Sequence, residues 1–220
     1  MSPRPYSLGH RREAADATYA QIIAAARELL AADEGAGNFT IDAVARQANV
    51  ARMTVYNRFK SKRGLLEAVF DDLAAHGRMM QVPDIFSERD PLAALDRLVA
   101  VFGQFWDSDR IVIRRIRALG TLDKDIGEAL RARDESRSHL VQVVLSRVAV
   151  EHDRPEPQMF GESVKIIQTL TGFEFFDALA GPDHSPLDVV PIVQKLAQGA
   201  LGMTQRSNQK SKPEPKNESS

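Results

Sequence analysis

Two short apolar stripes of helical period, separated by a tight turn within residues 39–66, constrain this chain's fold more than any other feature. Thr40 is a good N-cap, Phe39 before it can staple onto Val44, and Ile41, Val44, Ala45 and Ala48 share one face. That helix is expected to stop near Asn49. Asn tolerates the left-handed backbone that a sharp turn between packed helices demands, and Val50 then plugs the turn. In the second stripe Val55 and Phe59 are four apart and point inward, so Arg52, Met53, Tyr56 and Asn57 are left outward. The small Ala45 lets the two helices approach closely. The run fits a helix-turn-helix, whose second helix enters the major groove of DNA. An ordinary helical hairpin would show the same stripes, and charge decides between the two.

Over residues 1–63 the basic residues Arg4, Arg11, Arg12, Arg27, Arg46, Arg52, Arg58, Lys60, Lys62 and Arg63 outnumber the acidic ones, while the whole 220-residue chain carries a net charge of −1. The remainder is therefore acidic. This segregation into a basic N-terminal module and an acidic body is more telling than the net value. Any one of these residues can belong to a solvated face, but their clustering around one helix favours contact with phosphates.

The segment Phe39-Thr40-Ile41-Asp42-Ala43-Val44-Ala45, then Val50, then Thr54-Val55-Tyr56-Asn57-Arg58-Phe59-Lys60-Ser61-Lys62 resembles the N-terminal domain of TetR-type transcriptional regulators. The likeness extends back over Thr18 to Leu30, where Tyr19, Ile22, Ile23, Ala26, Leu29 and Leu30 form the stripe of a bracing helix. It extends forward through Leu65, Leu66, Val69 and Phe70. It covers roughly residues 12–70, and the rest agrees only in length and helicity. The resemblance implies that Thr40, Thr54 and Tyr56 reach DNA phosphates and that Lys62 reaches the backbone at a helix start, with Lys60 beside it. Ser61 can cap that helix, whose positive dipole end suits a phosphate. Arg52, Met53 and Asn57 would then face base edges and set sequence preference. Three residues depart from the family pattern: Asn49 where Gly is usual, Ala51 where a Ser cap is usual, and Met53 where a Gly allows close approach to DNA. Gly64, where a capping box would want Glu, is expected to weaken the next helix slightly.

The chain is thus read as all-α, with an N-terminal three-helix helix-turn-helix DNA-binding domain over 12–62. A C-terminal helical ligand-binding and dimerisation domain follows over 63–204. A flexible basic arm at 1–11 and a disordered tail at 205–220, rich in Lys, Pro, Ser, Asn and Glu, flank them. In the body, Leu92, Leu95, Val99, Phe102 and Trp106 recur at helical spacing, with Leu98 and Phe105 widening the stripe. Ile111–Ala118 is a shorter piece. Leu140–Val150 is Val-rich enough for a strand, but its helical surroundings favour helix. Gln158–Ala180 is apolar on more than one face and ends at Gly181-Pro182. Ser185–Met203 contains Pro191, so that helix either kinks or starts later than Ser185.

The resemblance implies that these last two segments, about 158–180 and 185–203, pair with their copies in a homodimer, and Gly161, Gly172, Gly199 and Gly202 are candidate close crossings. It also implies double-stranded operator DNA as partner and a small-molecule effector bound in the body. For that effector Phe102, Phe105, Trp106, Phe173 and Phe176 are candidate apolar lining, and Arg114, Arg117 and His139 are candidate partners for an acid or phenol. Core packing explains such an aromatic stripe equally well. The expected function is a homodimeric repressor released from a palindromic operator by its effector. The alternatives are an activator on the same fold and a dimeric small-molecule binder with no DNA role.

An enzyme is not expected, nor a cofactor. The chain has no Cys, which excludes disulfides, thiolate catalysis and thiolate-bound metal and suits a cytoplasmic setting. Asp72 and His76 lie one helical turn apart, and Glu151, His152 and Asp153 adjoin, but neither set has a second matching pair or a nucleophile with a base. Gly35-Ala36-Gly37 lacks the Lys of a phosphate-binding loop. No run is long and apolar enough to span a membrane, and the start shows no signal-peptide pattern.

Overall fold

The computed structural model describes residues 6–32, 37, 39–77, 79–151 and 157–202, and these described residues form eleven α-helices and one 3-10 turn. Among the described residues there is no strand. The first helix, α1 (Tyr6–Ala31), is already helical over much of the stretch expected as an arm. The Ala-rich run from Ala14 onward propagates helix cheaply once a nucleus forms, and that carries the helix back toward Tyr6. Residues 1–5 with Arg4, Gly35-Ala36, His152-Asp153 and the tail from 205 lie outside the described residues.

Two short helices follow, α2 (Ile41–Gln47) and α3 (Arg52–Phe59), and then α4 (Lys62–His76). The stripe Ile22, Ile23, Ala26 and Leu30 of α1 is buried, as are Val44 and Ala45 of α2 and Val55 and Phe59 of α3. The helix α4 packs on α1 and α3 on one side and on the body helices on the other. Its Leu65, Leu66, Val69, Phe70 and Leu73 are all buried. One continuous apolar core therefore runs from Ile22 in α1 to Ala197 near the C-terminal end.

The body comprises α5 (Val82–Ser87), α6 (Pro91–Ser108), α7 (Arg110–Leu122), α8 (Lys124–Glu151), α9 (Pro157–Leu170), α10 (Phe173–Ala180) and α11 (Val190–Ala200). The helix α6 starts where Asp90 accepts a hydrogen bond from the Leu92 N–H at 2.9 Å, with Pro91 in its first turn. It buries Leu95, Leu98, Val99, Phe102, Phe105 and Trp106 at the centre of the body. The Val-rich run 140–150 is helical within α8, where Val141, Val144, Leu145 and Val148 recur at three- and four-residue spacing and are buried. Burial against α6, α7 and α9 outweighs the local strand propensity.

The segment 158–180 differs from its sequence reading, because it breaks at Thr171-Gly172 into α9 and α10. The side chains explain the break. Trp106 Nε1 donates to the Thr171 carbonyl at 3.0 Å, and the Arg137 guanidinium donates to the Gln168 carbonyl and to Thr171 Oγ1. The terminal carbonyls of α9 thus find partners outside the helix, and a cation sits at its negative end. The last helix starts late, at Val190, so Pro191 falls in its first turn where its missing N–H costs nothing. Gly103 of α6 permits the close crossing of α10 and α11: a Cβ there would stand 2.4 Å from Val190 Cγ2.

Arg110 and Arg114 clamp α7 to α10. Arg110 Nε lies 2.5 Å from Asp177 Oδ1, and the same guanidinium donates to the Asp177 and Gly181 carbonyls at the end of α10 and to the His184 carbonyl in the turn beyond it. Arg114 completes the clamp at 2.6 Å and 3.0 Å from the Asp177 oxygens. Burial pushes the Asp177 pKa upward, but hydrogen bonds and charge from Arg114 and Arg110 outweigh it and hold the carboxyl below its ordinary 3.8. A depressed carboxylate stabilises the fold above its unfolded pKa, and the contribution fades as pH falls through the folded value. Asp177→Asn should therefore lower the melting temperature at pH 7. The gap from the parent protein should close below pH 3.8 in circular dichroism melts taken across that range.

Candidate functional site

The helix-turn-helix is built by its caps. Thr40 Oγ1 accepts from the Ala43 N–H at 3.1 Å and opens α2. A hydroxyl has one proton and two acceptor sites, so this cap leaves the proton available for an outside oxygen. Asn49 adopts φ 49°, the left-handed turn that its residue type allows. Ala51 then occupies the N-cap of α3 with no side-chain hydrogen bond. On α3 the apolar side is seated on its neighbours, and Arg52, Met53, Thr54, Tyr56 and Asn57 all face outward, Met53 being 62% and Tyr56 51% exposed. Thr40 and Lys60 are exposed at its flanks. Lys62 is half-buried, with its ammonium 5.9 Å from the Phe39 ring centroid. Arg52 pairs with Asp42 of α2 at 2.8 Å; both are well exposed, and a surface pair of this kind is worth about 0–1 kcal/mol. Arg58, by contrast, is turned back over the Tyr19 ring of α1 at 5.2 Å.

The junction after α3 corrects the sequence reading of Gly64. Lys60 has φ 66°, and the Ser61 N–H donates to the Phe59 carbonyl at 2.8 Å across a very tight turn. Ser61 Oγ then accepts from the Gly64 N–H at 3.0 Å and caps α4. A Cβ on residue 64 would stand 2.2 Å from the Phe59 carbonyl oxygen. Gly64 is thus the condition for this tight junction, not a flaw in the capping box.

The N-terminal module is tied to the body through charged side chains as well as through the core. Arg27 of α1 bridges Asp72 of α4 at 3.1 Å and Asp109 at 2.9 Å, and Asp109 is also the N-cap of α7. Arg133 of α8 reaches Asp71 of α4 at 2.6 Å and the Glu67 carbonyl at 3.2 Å. Asp72 and His76 are part of this zone, His76 Nδ1 lying 3.5 Å from the Asp72 carboxylate. Among the described residues no group of three His, Cys, Asp or Glu stands close enough to hold a metal ion.

A cavity of about 660 Å³, open mouth included, lies between α4, α6, α7 and α8. Phe102, Phe105 and Trp106 form its wall, Phe70 and Ala74 of α4 bound it, and Arg117, Arg133, Asp134 and Arg137 make its polar side. Four of the residues singled out from the sequence therefore meet here: Phe102, Phe105, Trp106 and Arg117. Phe173 stands behind the wall, edge-on to Trp106 at 5.6 Å, and Phe176 is buried against Gly103. Arg114 is committed to Asp177, and His139 is exposed on α8 away from the cavity. Burial works against the charge of Arg117, but hydrogen bonds and charge from Asp134 and Glu174 outweigh it and raise its pKa.

Sequence reasoning missed Arg133, Asp134 and Arg137. Their signal was present in the charged first half of α8, where 133 and 137 are one turn apart and Arg117 lies on the facing helix. A charged stretch reads as a solvated face unless the neighbouring helix that covers it is known.

Residues 22–69 match the family described as bacterial regulatory proteins, tetR family. No curated protein matches the chain. Among solved structures the fold is similar to that of the transcriptional regulator FadR from Bacillus subtilis in complex with stearoyl-CoA, at 19% identity, TM-score 0.63, over 81% of this chain and 97% of that one. It is also similar to a TetR transcription regulator from Haloarcula marismortui, at 15% identity, TM-score 0.61, over 84% and 96%. A third likeness is to the fatty acid degradation regulator FadR from Bacillus halodurans, at 18% identity, TM-score 0.60, over 84% and 96%. At these identities the shared property is the fold.

The cap geometry yields a pair of stability changes of opposite sign. Ala51→Ser should stabilise the protein by about 0.5–1 kcal/mol by supplying the missing cap of α3. Gly64→Ala should cost roughly 1–3 kcal/mol through the clash with Phe59. Urea denaturation of the two variants beside the parent checks both signs.

Proposed function

We propose that this chain, whose N-terminal module is that of the tetR family of bacterial regulatory proteins, is a homodimeric transcriptional repressor that leaves its operator when a small molecule fills the body cavity. The observation that carries the reading is α3: a helix seated on α2 and α4 by Val55 and Phe59, which presents Arg52, Met53, Thr54, Tyr56 and Asn57 together to solvent. Arg52 is suited to guanine, Asn57 to adenine and Met53 to a thymine methyl. Thr40, Thr54, Tyr56, Lys60 and Lys62 are suited to the phosphates that flank the groove.

Two reading helices must sit about 34–36 Å apart to enter successive major grooves, so a second copy is required. The face formed by α9 and α11 supports that role. Ile166, Ile192 and Leu196 are exposed on it at 43%, 47% and 44%, and a Cβ at Gly161 or Gly199 would meet nothing within 4 Å in its own chain. A helical pair with apolar residues outward and small residues between them suits packing against its own copy. The effector is proposed to act through α4, which borders the cavity with Phe70 and Ala74 and begins beside the reading helix at Lys62. FadR from Bacillus subtilis, with a similar fold, holds stearoyl-CoA, which supports a small-molecule effector here.

Anisotropy against a duplex from the region upstream of the gene and a scrambled control, at several salt concentrations, tests DNA reading directly. Specific binding with a steep salt dependence is expected, and equal binding to both duplexes would count against it. Arg52→Ala should relax base preference, whereas Lys62→Ala should weaken all sequences alike and reduce the salt slope by about one. An identical loss of specificity in both variants would remove this division of labour. Ile192→Glu should yield a folded monomer in light scattering that no longer retains operator DNA, because it sets a charge in the proposed subunit interface.

A further inference from the structure

We infer that the body cavity is built for an amphipathic carboxylic acid, with an aryl or alkyl body against the Phe102–Trp106 wall and its single carboxylate on Arg137 and Arg133. This rests on the proposed regulator reading and adds the chemical class of the effector.

Three arginines, Arg117, Arg133 and Arg137, line the cavity with one carboxylate, Asp134; Arg117 also pairs with Glu174 and Arg133 with Asp71, outside that lining. Asp134 is shared, at 3.1 Å from Arg117 and 3.1 Å from Arg137. Arg137 is only 8% exposed, and its buried Nε has no hydrogen-bond partner, although its other nitrogens cap α9 and meet Asp134. A desolvated guanidinium N–H without an acceptor is costly, and a carboxylate is the group whose shape fits the guanidinium fork. Asp134 in the lining opposes a dianion, so one negative charge is the better match.

The position of these cations makes the site two-faced. Arg137 lies 5.9 Å from the Phe102 ring centroid and Arg133 lies 4.7 Å from that of Phe70, so each guanidinium borders the aromatic wall. Across that wall Phe105 and Trp106 stand 4.6 Å apart, and Phe102 stacks on Trp106 at 6.1 Å. A molecule with one apolar body and one charged end fills both parts. Its head would also compete for Arg133 with Asp71 and the Glu67 carbonyl of α4. That competition supplies the differential contact by which a ligand favours one arrangement of α4 over another.

Trp106 is the sole tryptophan of the chain and reports on the cavity directly. The full chain is titrated with 3-phenylpropionate and decanoate and with their uncharged primary amides, and Trp106 emission is followed. The acids should bind about tenfold or more tightly than the amides, the scale of one charge-assisted hydrogen bond. Arg137→Met should abolish that preference. Because Arg137 also caps α9, its melt is recorded, and Arg133→Gln, which leaves that cap intact, should independently reduce the preference. Equal binding of acids and amides, or binding of neither, would overturn the inference. A parallel selection from random duplexes separates the two readings. A selected duplex with no acid binding leaves the regulator standing and this inference fallen; acid preference without any selected duplex does the reverse.

Discussion

Burial of α4 on two sides is the constraint on which the rest of the molecule depends. Leu65, Leu66, Val69, Phe70 and Leu73 are committed to the core, and the same helix packs on α1 and α3 and on α6 and α8. Its start is set by the junction at Lys60–Gly64, where the chain turns within a few residues and the Phe59 carbonyl leaves no space for a Cβ. The orientation of α3 is therefore inherited from α4. A rigid-body shift of α4 cannot occur without moving α3, because no flexible linker lies between them to absorb it.

Arginine supplies the polar framework around this core. Arg27 joins α1, α4 and the start of α7; Arg133 joins α8 to α4; Arg110 and Arg114 join α7 to α10. The guanidinium fork can satisfy several acceptors on different helices at once, which a point-like ammonium does less well. Arg137, which lines the cavity with Arg117 and Arg133, differs in keeping a buried Nε that has no hydrogen-bond partner. The cations of the N-terminal module divide similarly. Arg58 is held over Tyr19, while Lys60 and the exposed edge of α3 face solvent.

The helix-turn-helix was legible in the sequence because its stripes, caps and turn residue act locally: Thr40, Asn49, Val55 and Phe59 each do what their residue types and spacing require. The helical class of the body was legible for the same reason, whereas Pro191 left a kink or a late start of the last helix open, and the structure has the late start. The break at Thr171 was not, since it is imposed by Trp106 and Arg137, which are distant in sequence. The role of Gly64 was hidden because the clash comes from a backbone oxygen five residues back, across a turn whose tightness no propensity reveals. The cavity was half legible. Its aromatic wall lies on one helix and shows a period, whereas its arginines lie on α7 and α8, and only the packing of those helices brings them together.

Magnitudes decide how an effector of the proposed kind can act. A ligand that prefers one arrangement about 100-fold supplies roughly 3 kcal/mol of coupling. Each fully buried apolar side chain of α4 is held by about 1.5–3 kcal/mol, so unpacking all five is far beyond that reach. The partly exposed ion pairs Arg27–Asp72 and Arg133–Asp71 are each worth about 1 kcal/mol or less, well within it. The response available to this fold is therefore a pivot of α4 on its apolar contacts, with polar ties exchanged at its C-terminal half and the displacement delivered at Lys62. Because α3 is joined there by the tight turn, a small rotation of α4 is passed on to α3 rather than absorbed as a local loosening.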